Sequence, residues 1–298
     1  METPLRYARE SWSLPLPVTI ALILTVLVYL RGWLHLRRAF PAAISVWRAA
    51  AFVCGVLFMW IAVGSPLGEL DEELLSVHMV QHLLLMTVAP PLLLLGAPAL
   101  PLLHGLPQIF SQTVLGPCLR WRFVQWFGRV MTKPVVCWLA ATTALLAWHH
   151  PAAFALGLES HPWHRVEHAS FLAAGLLFWW PVIRPWPSVE RQPRWSIVLY
   201  LFLATLPCDA LSAFLAFCGH VVYTPYLSAP RLFGVSPLRD QAFAGALMWV
   251  SVTFAYLIPA VFLTMHFLSH GGAEDDKLMA RQRHARTQIR FSRPTEVK

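Results

Sequence analysis

Apolar residues fall along this chain in long runs, separated by short polar stretches, with little of the close alternation of a half-buried strand. Seven runs approach the roughly 20 residues that a helix needs to cross about 30 Å of hydrocarbon. They lie at about 15–33, 46–64, 74–96, 134–149, 164–183, 195–218 and 240–268. The expected fold is an all-α membrane protein, a bundle of about seven transmembrane helices forming one polytopic domain over 1–270 with a basic tail at 271–298. The stretch 97–133 holds too many Pro, Gly and polar residues to span, and WRFVQWFGRV (121–130) within it reads as a short amphipathic helix on the membrane surface. Pro90, Pro91 and Pro98 are expected to end or kink the third run, because proline removes a donor and disfavours helix in the residue before it.

Lys and Arg set the threading. The loops 31–48, 97–133 and 184–194 and the tail 269–298 carry eighteen of the 23 basic residues; the alternate connections carry five. By the positive-inside rule the N-terminus is outside and the C-terminus cytoplasmic. The first run is followed by Arg31 and Gly32 with no small-residue cleavage pattern, so a retained helix is expected rather than a signal peptide.

Composition agrees: 57% of residues are hydrophobic and only 13% charged, about half the charged share of a soluble domain. The net charge of +8 would point to nucleic acid in a soluble protein; here basic loops meeting anionic membrane lipid account for it, and no nucleic-acid partner is expected. Five scattered cysteines (Cys54, Cys118, Cys137, Cys208, Cys218) form no C-x-x-C and give neither a disulfide framework nor a thiolate zinc site.

The thirteen histidines carry the chemistry. Eight fall on the expected outer side: His78, His82, His149, His150, His161, His164, His168 and His220. His35, His104, His266, His270 and His284 fall on the inner side and read as interfacial or tail residues. HMVQH (78–82) and HRVEH (164–168) share a pattern, His-x-x-(Gln/Glu)-His. A spacing of i, i+4 stacks two imidazoles on one helix face, with Gln81 or Glu167 beside them to support a ligand histidine by hydrogen bonding. A metal site is expected from His78, His82, His149, His150, His164 and His168, supported by Gln81, Glu167 and Asp209. Nitrogen ligation with open positions suits copper, zinc or iron, and the affinity order favours Cu(II). Met59, Met79, Met86 and Met248 read first as packing residues, although thioether suits Cu(I) and Met86 continues the 78–82 face. Asp209, inside the sixth run after Pro207, is expected to pair with Arg239 or a cluster histidine, or to brace helices. Ser236 and Pro237 read as the cap and first turn of the last helix.

At these residues the chain resembles the polytopic CtaG family of cytochrome c oxidase assembly factors. The resemblance is carried by HMVQHLLLMTVAPPLLLLGAP (78–98), AWHHPAAF (147–154), HRVEHASFLAAGLLFWWPVI (164–183), LPCDALSAFLAF (206–217) and YTPYLSAPRLFGVSPLRDQAFAGALMWV (223–250), within about 45–268. It implies a non-enzymatic protein of the bacterial cytoplasmic membrane that meets oxidase subunits, handles copper at its outer face, and receives it from a periplasmic donor. The same label covers an unrelated single-span copper chaperone with a thiol pair; this chain has neither feature, so no cysteine relay carries over. Three other readings stay open. One is an assembly scaffold without metal, and another a haem-binding redox protein with histidine axial ligands. The third is a membrane metallopeptidase using HRVEH, for which the nearest downstream glutamate, Glu190, falls on the wrong side.

Overall fold

The computed structural model describes residues 12, 14–41, 45–185 and 194–291, with residues 194 and 266–291 as backbone only. Glu190 and the side chains of His266, His270 and His284 lie outside the described residues, as do residues 292–298 of the tail. The described chain is helical throughout, with no strand. Helix α1 runs Leu16–Ala39, α2 Val46–Gly64, and α3 Leu75–Leu83. A π-helical turn, Leu84–Val88, joins α3 to α4, Ala89–Leu95. After a short helix, α5 Ala99–Gly105, come α6 Arg122–Met131, α7 Pro134–Trp148, α8 Pro151–Glu159 and α9 His161–Ile183. Helix α10 covers Arg194–Phe217 and α11 Pro237–Phe291.

Among the described residues six helices are long and apolar enough to cross a membrane. The seventh expected span, 134–149, is present as α7 but has only 15 residues; α6 and α7 together reach spanning length as a pair bent by 74°. The expected surface helix at 121–130 is α6, which exposes Phe123, Trp126 and Phe127. The backbone of α11 runs on into the basic tail as far as Phe291.

The third span, Leu75–Leu95, occupies the middle of the bundle: 61% of its apolar window is buried, against 17–39% for the other five. Its polar side chains therefore meet neighbouring helices instead of lipid. Pro90 and Pro91 do not end it. They sit in the first turn of α4, directly after a π-turn that shifts the helical hydrogen-bond register. Pro90 leaves the Met86 carbonyl, four residues earlier, without its helical donor. The Trp179 indole on α9 donates to it at 3.2 Å. Gly175 makes the approach possible, since a Cβ there would stand 2.7 Å from that carbonyl oxygen and from Pro90. The span stops at Gly96 and Ala97, the latter at φ 46°, ahead of Pro98.

The main apolar core gathers α3, α7, α9, α10 and α11 around Met79, Phe154, Phe178, Tyr200 and Met248. A second core joins α1, α2 and α4 around Tyr29, Phe52 and Leu93. Between them the third span carries its histidines in its N-terminal half, on α3, beside the N-terminus of α9 and the C-terminus of α7.

Candidate metal centre

His78 and His82 lie one turn apart on α3 and both are buried, at 0% and 5% exposure. Their rings are 4.3 Å apart, centroid to centroid, and edge-on. Across from them α9 presents His164, Glu167 and His168. His164 stacks over His78 at 5.5 Å and 11°, and His168 stands 4.2 Å from His164 and 6.0 Å from His82. Glu167, expected beside the imidazoles as a hydrogen-bonding support, is fully buried. Its Oε1 faces them directly, 3.7 Å from His78 Nε2 and 3.3 Å from His82 Nε2.

One ligand candidate was not foreseen from the sequence. Asp71, in the link between α2 and α3, is fully buried, with Oδ2 3.4 Å from His164 Nε2. Burial pushes its carboxyl up to about 7, with the charge of His78 pulling the other way. Two triads thus form, Asp71–His78–His164 and His78–His82–Glu167, each with its donor atoms within 4.8 Å of one another. His78 belongs to both.

The spacing is informative. Charge-assisted N–H···O contacts close to about 2.7–2.9 Å, whereas two ligands held about 2.0–2.1 Å from one tetrahedral ion stand about 3.3 Å apart. The contacts of 3.3 and 3.4 Å match the second case, and that of 3.7 Å asks for an angle opened to about 130° at the ion. Eleven buried polar atoms of Asp71, His78, Gln81, His82, His164, Glu167 and His168 have no hydrogen-bond partner among the described residues. Each such atom costs on the order of 1–3 kcal/mol when buried bare, and a shared cation would satisfy one atom of each ligand residue at once.

The surroundings hold this set in place. Phe154 of α8 covers His78 at 4.8 Å and stacks on Tyr223 at 4.0 Å. Tyr223 donates to the His149 carbonyl (3.1 Å) and Tyr226 to the Asp71 carbonyl (2.7 Å). Burial pushes both phenols upward, so each stays a proton donor. Gly157 lies flat against Glu167, whose Oε2 would be 2.6 Å from a Cβ at that position. Gln81 Nε2 donates to the Ala62 carbonyl at 3.0 Å, tying α3 to α2. Asp240 caps α3 from the start of α11, its carboxylate accepting from Leu75 N (2.6 Å) and Ser76 N (3.3 Å).

The other expected residues fall elsewhere or at the margin. His149, buried at 5%, stands 5.9 Å from His82 ring to ring. His150 is exposed: α7 ends on His149, and the extended backbone of His150 starts α8 and turns its ring outward. Asp209 lines a separate groove of ≈ 480 Å³ between α10 and α11. It makes no ion pair with Arg239 among the described residues, because Arg239 lies exposed at the start of α11. Ser236 Oγ does accept from Arg239 N at 3.4 Å, and Pro237 opens the helix. His161 and His220 are exposed.

The family model described as cytochrome c oxidase caa3 assembly factor (Caa3_CtaG) matches residues 27–270. The chain belongs to this family. It is 26% identical over 295 residues to uncharacterized proteins of Mycobacterium bovis and Mycobacterium tuberculosis, covering 92% of this chain and 44% of each relative. An uncharacterized protein of Mycobacterium leprae is 24% identical over 262 residues, covering 86% of this chain and 39% of the relative. The chain therefore spans less than half the length of these relatives. No solved structure matches.

Proposed function

We propose, with that family membership as the premise, that this multi-pass membrane protein assists cytochrome c oxidase maturation by holding copper as cargo at the histidine–carboxylate centre. Asp71, His78, His82, His164 and Glu167 are the ligands, with His168 at the edge. The observation that carries this reading is the ligand-like spacing of buried donors that otherwise lack partners. Mixed imidazole and carboxylate donors favour a divalent first-row ion, and Cu(II) binds tightest in that series.

Loading and release follow from the unequal burial of the ligands. His78 and Glu167 are sealed, while His164 and His168 are half-buried on the α9 side. An incoming ion meets the α9 imidazoles first and is then drawn between Glu167 and the α3 pair. Departure reverses the order by ligand exchange with an oxidase subunit. With the N-terminus outside, the centre lies at the outer face of the bacterial cytoplasmic membrane, where a periplasmic donor can reach it. No bond of the cargo is made or broken catalytically.

Copper quantification on detergent-purified protein tests this. Wild type should retain Cu(II), and His78→Ala/His82→Ala should lose it. Equal copper in both proteins would place the metal outside this centre, and none in either would leave a metal-free scaffold; each result overturns the reading. A Soret band in the purified wild type would favour haem instead.

A further inference from the structure

Directly below the histidine–carboxylate centre, toward the middle of the membrane, lies a cavity of ≈ 40 Å³ whose walls include Met79, Met86, Met248, Cys208, His82 and His149. Three of the chain's eight methionines converge here from two different spans, α3 with its π-turn and α11, and α10 adds a thiol. Met59 packs instead against the second core. The volume exceeds the 10–15 Å³ or so that one water needs, so these flexible side chains do not close the space that packing alone would have them fill.

The decisive contact is between His149 and Met79. His149 Nδ1 lies 2.8 Å from the Leu145 carbonyl, which can only accept, so Nδ1 carries the proton. In the neutral ring Nε2 then presents a lone pair, and it points at the Met79 sulfur from 3.4 Å. Sulfur has no proton to give. Two lone-pair donors facing each other in a buried site repel unless a cation sits between them. An ion about 2.0 Å from the nitrogen and about 2.3 Å from the sulfur would subtend about 105° at that separation, close to tetrahedral.

We infer that this cavity is a second copper position, selective for Cu(I), with Met79 Sδ and His149 Nε2 as ligands and the Met86 and Met248 thioethers completing the wall. Thioether is soft and selects Cu(I), where the imidazole–carboxylate set above it favours divalent ions. The inference rests on the copper reading for the identity of the metal. It adds that the protein holds the two oxidation states in different places, with His82 lining both.

The test uses full-length protein in detergent with two probes. Cu(I) is buffered anaerobically by bathocuproine disulfonate, and Cu(II) is supplied in air. X-ray absorption of the Cu(I)-loaded wild type should show sulfur scatterers near about 2.3 Å. Met79→Leu, which conserves volume, should weaken Cu(I) binding at least about tenfold, the scale on which even indirect ligand support acts, and leave Cu(II) binding unchanged. Glu167→Gln should do the reverse. Absence of sulfur scattering in the wild type, or wild-type Cu(I) affinity in both Met79→Leu and Met248→Leu, overturns the sulfur site even if Cu(II) binding holds. Loss of Cu(II) binding with the sulfur signature intact sinks the upper centre alone. The absorption measurement needs no variant, so a poorly folding Met79→Leu would not shield the inference.

Discussion

Asp240 is the strongest single test of how the bundle holds its centre. The N-cap position of α3 is Leu74, whose side chain cannot accept a hydrogen bond. The first free amides of that helix, Leu75 N and Ser76 N, are instead satisfied by a carboxylate 165 residues away in sequence. Negative charge at a helix N-terminus is further favoured by the helix dipole. Asp240→Ala removes two hydrogen bonds to a buried anion and leaves the amides bare. Bonds to charged groups are worth about 1.5–3 kcal/mol each and cap losses about 0.5–2 kcal/mol. Both bonds share one carboxylate and do not add, so about 2–3 kcal/mol is expected. At about 2–4 °C per kcal/mol for chains of this order, the unfolding midpoint should fall by about 4–12 °C. Intrinsic fluorescence from the fourteen tryptophans reports it during a thermal ramp. Asp240→Asn keeps one acceptor without the charge and should lose about half as much, because charge-assisted bonds are roughly twice as strong as neutral ones. His78 sits one turn beyond Leu75, so Cu(II) affinity should decline in the same order. A midpoint for Asp240→Ala within about 2 °C of wild type, less than the shift for 1 kcal/mol, would refute the capping argument.

Gly157→Ala places a Cβ 2.6 Å from Glu167 Oε2 and must displace that carboxylate. Overpacking of this kind costs about 1–3 kcal/mol; equilibrium dialysis should show Cu(II) affinity reduced about tenfold or more, and an unchanged affinity would remove Glu167 from the ligand set. Trp179→Phe strands the Met86 carbonyl at a cost of about 1–3 kcal/mol, lowering the unfolding midpoint. In a Pro90→Ala background, where the amide donor is restored, the same substitution should cost much less, and additivity in that double-mutant cycle would exclude the coupling. Tyr226→Phe removes the donor to the Asp71 carbonyl and should lower stability by about 0.5–1.5 kcal/mol in a denaturant titration, with the native fluorescence baseline unchanged.

Six of the apolar runs were readable as spanning helices because a membrane helix must be continuously apolar, whereas the run at 134–149 forms a helix of 15 residues that reaches spanning length only with α6, in a pair bent by 74°. The i, i+4 histidine pairs were readable for a similar reason: helical geometry alone puts them on one face. Asp71 was not. It sits in Glu69–Leu70–Asp71–Glu72–Glu73, where it looks like one more solvated loop acid, and only the packing of Tyr226 and His164 around it singles it out. Asp240 gave a local signal, the first turn of α11, but its partners are on α3 and no sequence spacing encodes that contact. His149 and His150 are neighbours in sequence and both are expected in the metal site. A helix end separates them: His149 is the helical cap that closes α7 and is buried, whereas His150, in extended backbone ahead of α8, is exposed. Glu167 is expected beside the His164 and His168 imidazoles as a hydrogen-bonding support, because i+3 lies beside i and i+4 on the same face. The approach of α9 to α3 instead turns it into the space between the His78 and His82 rings.

Helix α3 and its π-turn explain why one span can serve two kinds of ligand. His78, His82 and Met86 recur at intervals of four, so a single face runs from imidazole to thioether as it descends, and Met79 flanks it one residue after His78. The partners change in step: α9 supplies Glu167, His164 and His168 at the top, while α7, α10 and α11 supply His149, Cys208 and Met248 below. Carboxylates stop where the sulfurs begin, with none lining the lower cavity. That division has an electrostatic reason. A divalent ion needs anionic ligands to offset its desolvation, and these are cheapest near the membrane surface. A monovalent ion can go deeper among neutral donors. If copper occupies both levels, its charge decides its depth, and a mutation that puts a carboxylate into the lower cavity, such as Met248→Glu, should convert that position from Cu(I) to divalent preference. Cu(I) competition and Cu(II) binding on that variant, measured side by side, would show the exchange; retention of Cu(I) selectivity would mean that the charge of the wall has no part in setting the lower level.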